Sequence, residues 1–85
     1  MIIKDDDRVF MARSKLRKEV LYKLKDSPQV ASFLAKDMNR HRESISRVLL
    51  DLESKKMAKC KNPEASNFRF YEITSKGKKY LIDIN

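Results

Sequence analysis

From Asn39 to Lys55 the chain reads NRHRESISRVLLDLESK, and this stretch decides the fold. Ile45, Val48, Leu49 and Leu52 recur at i, i+3, i+4 and i+7, one apolar stripe of an amphipathic helix. At about 100° per residue, Glu43, Ser46, Arg47 and Ser54 fall on the far side. Arg40, His41, Arg42 and Ser44 gather at the N-terminal end, where unsatisfied N–H groups and the helix dipole favour an anion. A greasy inner face with an Arg/His/Arg/Ser leading end fits the reading helix of a helix-turn-helix. It fits equally a core helix with a solvated charged face, and the flanking segments decide between them.

Upstream, Ser14 can cap a helix running to about Lys25, with Leu16, Val20, Leu21 and Leu24 inward and Lys15, Arg17, Lys18 and Lys23 outward. Asp26-Ser27-Pro28 stops it, because proline cannot continue a helix and restricts its predecessor. Gln29-Val30 suits a very short strand, and a short helix follows from about Ala31 to Met38, with Leu34, Ala35 and Met38 inward. A second placement starts that helix three residues earlier, with Ser27 as cap and Pro28 at its first position. Asn39 tolerates the left-handed conformation of a tight helix-to-helix turn, so the next helix follows at helix-turn-helix spacing.

Downstream the period changes to two. Met57 to Lys61 alternates as a strand does, with Ala58 and Cys60 on one side. Asn62 to Asn67, NPEASN, is rich in turn formers, and Phe68 to Ile73, FRFYEI, is an aromatic alternating strand. Two strands about a six-residue loop make a hairpin directly after the reading helix, which is the wing of a winged helix. Thr74 can cap a last helix from Ser75 to about Ile84, with Tyr80, Leu81 and Ile84 as its apolar side. The expected fold is mainly α with a small β-hairpin (α+β): a winged helix-turn-helix with a three-helix core, a two-stranded wing and a C-terminal helix over residues 14–85.

Residues 1–13 stand apart as an N-terminal arm. Ile2, Ile3, Val9, Phe10 and Met11 flank Asp5-Asp6-Asp7, whose carboxylates can start a helix. Two placements remain open: the arm packs on a second subunit, or Phe10 and Met11 extend the first helix into its own core.

The 85 residues bound a single small domain, with 41% hydrophobic residues to build a core. One Cys excludes an internal disulfide and fits a reducing cytoplasm; no apolar run is long enough to span a bilayer, and no signal peptide opens the chain. Net charge is +8, and residues 54–80 hold eight Lys/Arg against two Glu, a field that attracts nucleic acid, an anionic membrane surface or an acidic protein.

The strings LAKDMNRHRESISRVLLDLESKKMAKC and KNPEASNFRFYEITSKGKKYL resemble small archaeal winged-helix transcriptional regulators of the MarR/ArsR-like kind, from about Ser14 onward. The resemblance rests on His41 to Arg47 (HRESISR), the Asn62-Pro63-Glu64-Ala65 opening of the wing and Tyr71 to Lys78 (YEITSKGK). It implies a reading helix in the major groove and a wing on phosphates or the adjacent minor groove. Three residues depart from that pattern. Lys56 stands where glycine is usual, Leu50 occupies an outward position that is often basic, and Arg40 replaces an apolar turn residue.

One His, one Cys and one Gly cannot build a Cys/His zinc cluster, a glycine-rich phosphate loop or a serine triad with its elbow, so no enzyme, metal, cofactor or small-molecule substrate is expected. Cys60 reads as a small apolar strand residue and Gly77 as a packing relief. For duplex DNA, the guanidinium forks of Arg42 and Arg47 match guanine O6/N7, and Ser44 and Ser46 reach bases or phosphates. Arg40 adds charge, and His41 suits a phosphate or a plain exposed turn. Glu43 suits a cytosine N4 or a pairing with Arg42 or Arg47. Ser27, Ser32 and Lys36 on the second helix, and Lys59, Lys61, Asn67 and Arg69 in the wing, are candidates for backbone contact. The expectation is a cytoplasmic, nucleoid-associated, sequence-specific double-stranded-DNA-binding regulator acting as a homodimer. A winged-helix protein adaptor and an RNA- or ribosome-associated basic domain are the alternatives.

Overall fold

Ser14 opens its helix as its chemistry dictates: the hydroxyl accepts the Arg17 N–H at 3.2 Å and satisfies one first-turn donor. In the computed structural model, which describes residues 4–83, the elements run α1 (Asp5–Ala12), α2 (Lys15–Lys23), β1 (Gln29–Val30), α3 (Ala31–Met38), α4 (Arg42–Ser54), β2 (Ala58–Cys60), β3 (Phe70–Ile73) and α5 (Ser75–Asp83). The protein is mainly helical with a small antiparallel sheet of order β1-β3-β2. Gln29 and Val30 form the short strand expected of them but pair with Tyr71 and Phe70, so the sheet has three strands and not the two of a lone hairpin. On the other edge Ala58, Lys59 and Cys60 face Ile73, Glu72 and Tyr71.

The core is one cluster. Ile45, Leu49 and Leu52 of α4 are fully buried against Val20, Leu21 and Leu24 of the α2 segment, Leu34 of α3, Met57 and Tyr80. Met11 of α1 is fully buried in the same cluster and Phe10 is half-buried against it. Residues 5–12 are therefore a separate helix packed on the domain, broken from α2 at Arg13-Ser14. Ile2, Ile3 and Ile84, which also entered the expectation, lie outside the described residues.

Two αL residues shape α4 at both ends. Asn39, at φ 55°, ends α3 in a Schellman motif: the Arg40 N–H bonds to the Ala35 carbonyl at 2.9 Å and the Asn39 N–H to that of Lys36 at 3.3 Å. Lys56, at φ 62°, does the same after α4, with the Met57 N–H on the Leu52 carbonyl and the Lys56 N–H on that of Glu53, each at 2.9 Å. A Cβ in this conformation costs on the order of 1 kcal/mol. Lys56→Gly is expected to raise the melting temperature by several degrees in a thermal unfolding scan.

Several boundaries differ from the pattern. α2 stops at Lys23, because its last turn tightens: the Leu24 N–H is shared by the Val20 and Leu21 carbonyls and Lys25 bonds back to Tyr22. α3, by contrast, runs from Ala31 to Met38 as its pattern predicts, with Val30 at its cap position; the second placement, starting at Pro28, is not the one adopted. β3 starts at Phe70 rather than Phe68, leaving a nine-residue loop, residues 61–69. Asn62 is the cause: its Oδ1 accepts the Phe70 N–H at 2.8 Å, and its Nδ2 donates to the Phe68 carbonyl at 3.1 Å, holding Phe68 at φ 52°. Arg17, expected outward, is half-buried. Its guanidinium lies 3.9 Å over the Phe10 ring, donates to the Phe10 carbonyl at 2.7 Å and to Asp51 at 3.2 Å, and so ties α1 and α2 to α4.

Candidate nucleic-acid interface

The 3.6-residue period of α4 sorts its side chains into three directions. Ile45, Val48, Leu49 and Leu52 are buried, whereas Glu43, Arg47, Leu50 and Ser54 form the outward ridge. Arg42, Ser46 and Leu50, spaced four apart, run along the flank that faces the hairpin. His41 caps the helix by backbone only, with φ −68° and ψ 138° and no side-chain bond to the first turn, so those N–H groups are not satisfied by its imidazole. Residues 39–44 are all exposed.

A groove of about 250 Å³ separates α4 from the hairpin loop. Arg42, Ser46 and Leu50 form one wall, Ser66, Phe68 and Arg69 the other, and Val30, Ala31 and Tyr71 the floor. The loop is tied internally. Pro63 follows Asn62 in a turn closed by the Ala65 N–H on the Asn62 carbonyl at 3.0 Å, and Arg69 Nε donates to the Ala65 carbonyl at 2.7 Å. At the floor, burial pushes the Tyr71 hydroxyl above its ordinary value, with the nearby Cys60 and Glu53 adding to the shift and Arg69 opposing it. Tyr71 is therefore a neutral floor at physiological pH.

Ion pairing sorts the cations near this face. Among the described residues, ion pairs join Arg8 to Asp83, Arg17 to Asp51, Lys23 to Asp37, Arg40 to Glu19, Lys59 to Glu72 and Lys76 to Asp7. Arg42, Arg47, Lys36, Lys61 and Arg69 have no carboxylate partner within that set. Of these, Arg42 and Arg69 line the space where α4 and the loop approach each other, and no carboxylate among the described residues pairs with them there.

The candidate residues thus divide. Arg42, Ser46 and Arg69 share the groove; His41, Glu43, Ser44 and Arg47 are exposed on the same end and ridge of α4. Glu43 forms no ion pair with Arg42 or Arg47 among the described residues. Asn67 is exposed in the loop, and on α3 Ser32 is half-buried while Lys36 is exposed. Ser27 lies between α2 and β1, where its Oγ accepts from Gln29 Nε2 at 3.1 Å. Lys59 and Lys61 alternate with Cys60 and lie on the sheet's other side, Lys59 paired with Glu72 at 3.7 Å and Lys61 beside Pro28 and Phe70. Arg40 turns to α2 and pairs with Glu19 at 3.7 Å. There it borders a wider hollow of about 590 Å³ whose floor includes Tyr22, Met38 and Leu81. Two of the cations at that hollow, Lys23 and Arg40, are paired to carboxylates, and Lys15 and Lys18 also line it.

Ser66 and Phe68 are not among the sequence's candidates, whereas Leu50, at an outward position that suits a subunit or the wing instead of a phosphate, stands opposite the hairpin loop. Leu50 was the visible signal, an exposed leucine at an outward position; Phe68 was hidden, since its spacing suits a strand. Among the described residues no group of three or more His, Cys, Asp or Glu is placed to hold a metal, and no helix is long and apolar enough to cross a membrane. No family model, curated protein or solved structure matches the chain.

Proposed function

We propose that this protein is a winged helix-turn-helix that binds double-stranded DNA sequence-specifically and regulates transcription as a homodimer. The observation that carries the reading is the groove lined by Arg42 of α4 and Arg69 of the hairpin loop, neither of them ion-paired among the described residues. Two separate elements bring guanidinium groups to one groove, and the first turn of α4 beside it is exposed. In this reading α4 enters the major groove, with Arg42 and Arg47 on guanine edges and Ser44 and Ser46 on bases or phosphates. Asn67 and Arg69 of the wing, with Lys36 and Ser32 of α3, hold the backbone, and Lys61 adds attraction without reading. Arg40 and Lys59 fall out of the reading set, because each already has a carboxylate.

A monomer presents one reading helix of 13 residues, a limited specific contact. A two-fold dimer would place two such helices about 34 Å apart, in successive major grooves.

Selection of bound duplexes from a random pool tests the proposal: enrichment of a two-fold motif supports it, and no enrichment overturns it. Gel shifts against RNA and single strands separate the RNA-associated and adaptor alternatives. On the enriched site, Arg47→Ala is expected to cost about 1–3 kcal/mol and blur one base position. Lys36→Ala should weaken all sequences alike and lower the salt slope by about one. Binding isotherms at two salt concentrations check both, and identical behaviour of the two variants would remove the division between reading and holding.

A further inference from the structure

Phe68 is an outlier in two respects. It adopts φ 52°, a conformation that a bulky side chain rarely takes, and its side chain is 63% exposed. Neither feature lowers the free energy of the folded chain, yet the surrounding bonds hold the backbone in that conformation. Asn62 brackets the residue, accepting from the Phe70 N–H and donating to the Phe68 carbonyl, and Arg69 is anchored to Ala65. Strain that the neighbours over-determine points to a use for the side chain so displayed. Across the groove stands Leu50, 55% exposed, and the same groove holds Arg42 and Arg69.

An apolar ring beside two guanidinium groups, neither with a carboxylate partner among the described residues, suits a ligand with flat apolar faces and a line of anions. Stacked bases on a phosphate backbone have both. We infer that Phe68 is a wedge, inserted between two base pairs of the duplex beside the site that α4 reads, with Leu50 behind it. This rests on the DNA-binding reading and adds to it a specificity that needs no hydrogen bond to a base. A wedge opens pyrimidine–purine steps most readily, so the enriched site should carry TA or CA/TG at the wing position, and the bound duplex should be kinked.

The test uses the full chain and the duplex enriched by selection, with 2-aminopurine placed at successive positions. Wild-type protein is expected to raise 2-aminopurine fluorescence at one step only, where unstacking occurs. Phe68→Gly should abolish that rise and bind about tenfold more weakly. Its melting temperature should match or exceed that of the wild type, because glycine relieves the strained backbone. Phe68→Trp should keep both the signal and the affinity. The wedge is overturned by a silent duplex, by unchanged affinity of Phe68→Gly, or by a fall of several degrees in its melting temperature, which would make the ring a packing residue. Tighter, Phe68-dependent binding to single strands also overturns it, in favour of stacking on an open strand. Absence of any salt-dependent duplex binding by the wild type would instead defeat the regulator reading itself, and the two failures are therefore distinct.

Discussion

Gly77→Ala is expected to lower the melting temperature by about 10 °C, although alanine is the better helix former. Gly77 lies buried in the first turn of α5, and a Cβ built there would meet the Met57 carbonyl oxygen and stand 2.7 Å from Ile73 Cγ1. The side chain of Ile73 could shift a little; the carbonyl cannot, because it accepts the Thr74 N–H at 3.0 Å. Thr74 is itself fixed, its hydroxyl donating to the Lys56 carbonyl at 2.6 Å and accepting the Gly77 N–H at 3.1 Å. Relief would have to separate α5 from the end of α4. Overpacking of this kind costs about 2 kcal/mol after the gain in helix propensity is set against it. Calorimetry should show the drop for Gly77→Ala and almost none for Lys79→Ala, which is exposed on the same helix. A Gly77→Ala protein as stable as the parent would mean that the junction is softer than its hydrogen bonds imply.

The second large effect concerns Asp7, whose carboxylate is only 4% exposed and meets Lys76 Nζ at 3.0 Å. Lys76 also donates to the Lys55 carbonyl at 2.8 Å, so a single ammonium joins α1, the end of α4 and α5. Burial pushes the Asp7 carboxyl up, but the Lys76 hydrogen bond, the Lys4 N–H, and the charges of Lys76 and Lys55 together outweigh it and hold the group below its ordinary 3.8. Removing the carboxylate strands a largely buried ammonium, and Asp7→Ala is expected to cost about 3 kcal/mol at neutral pH. The pH dependence follows from the direction of the shift. On acidification the unfolded chain takes up this proton before the folded chain does. The stabilisation is therefore whole above about pH 5, declines below 3.8, and is lost as the pH falls through the lower folded value. The melting-temperature gap between the parent and Asp7→Asn should narrow from pH 7 to pH 3. A gap that does not change with pH would show that the pair contributes nothing beyond packing.

Both residues show where sequence was legible and where it was not. The apolar period of α4, the caps at Ser14 and Thr74 and the left-handed Asn39 follow from side-chain chemistry acting within a few residues, and the structure has each in place. Asp7 reads as one of three helix-starting aspartates; only the approach of α5 makes it the buried one. Arg17 reads as an outward cation, because Phe10 and Asp51, which hold it, sit on other helices. Arg40 and Lys59 read as free cations for the same reason, their partners Glu19 and Glu72 being distant in the chain or across a strand pair. Phe68 carries no local sign of a positive φ, since it is Asn62, six residues earlier, that bends the backbone there.

The middle position of β3 has a mechanical consequence. Its one side is zipped to β1, which passes without interruption into α3; its other side is zipped to β2, which leaves the end of α4 after only three residues. The root of the loop cannot swivel without dislodging one of those helices. Any ligand that grips α4 and the loop together meets a caliper whose opening was set when the chain folded. The entropy of positioning the two jaws is spent before the encounter, and whatever adjustment a fit requires must come from the ligand or from the loop's own tip.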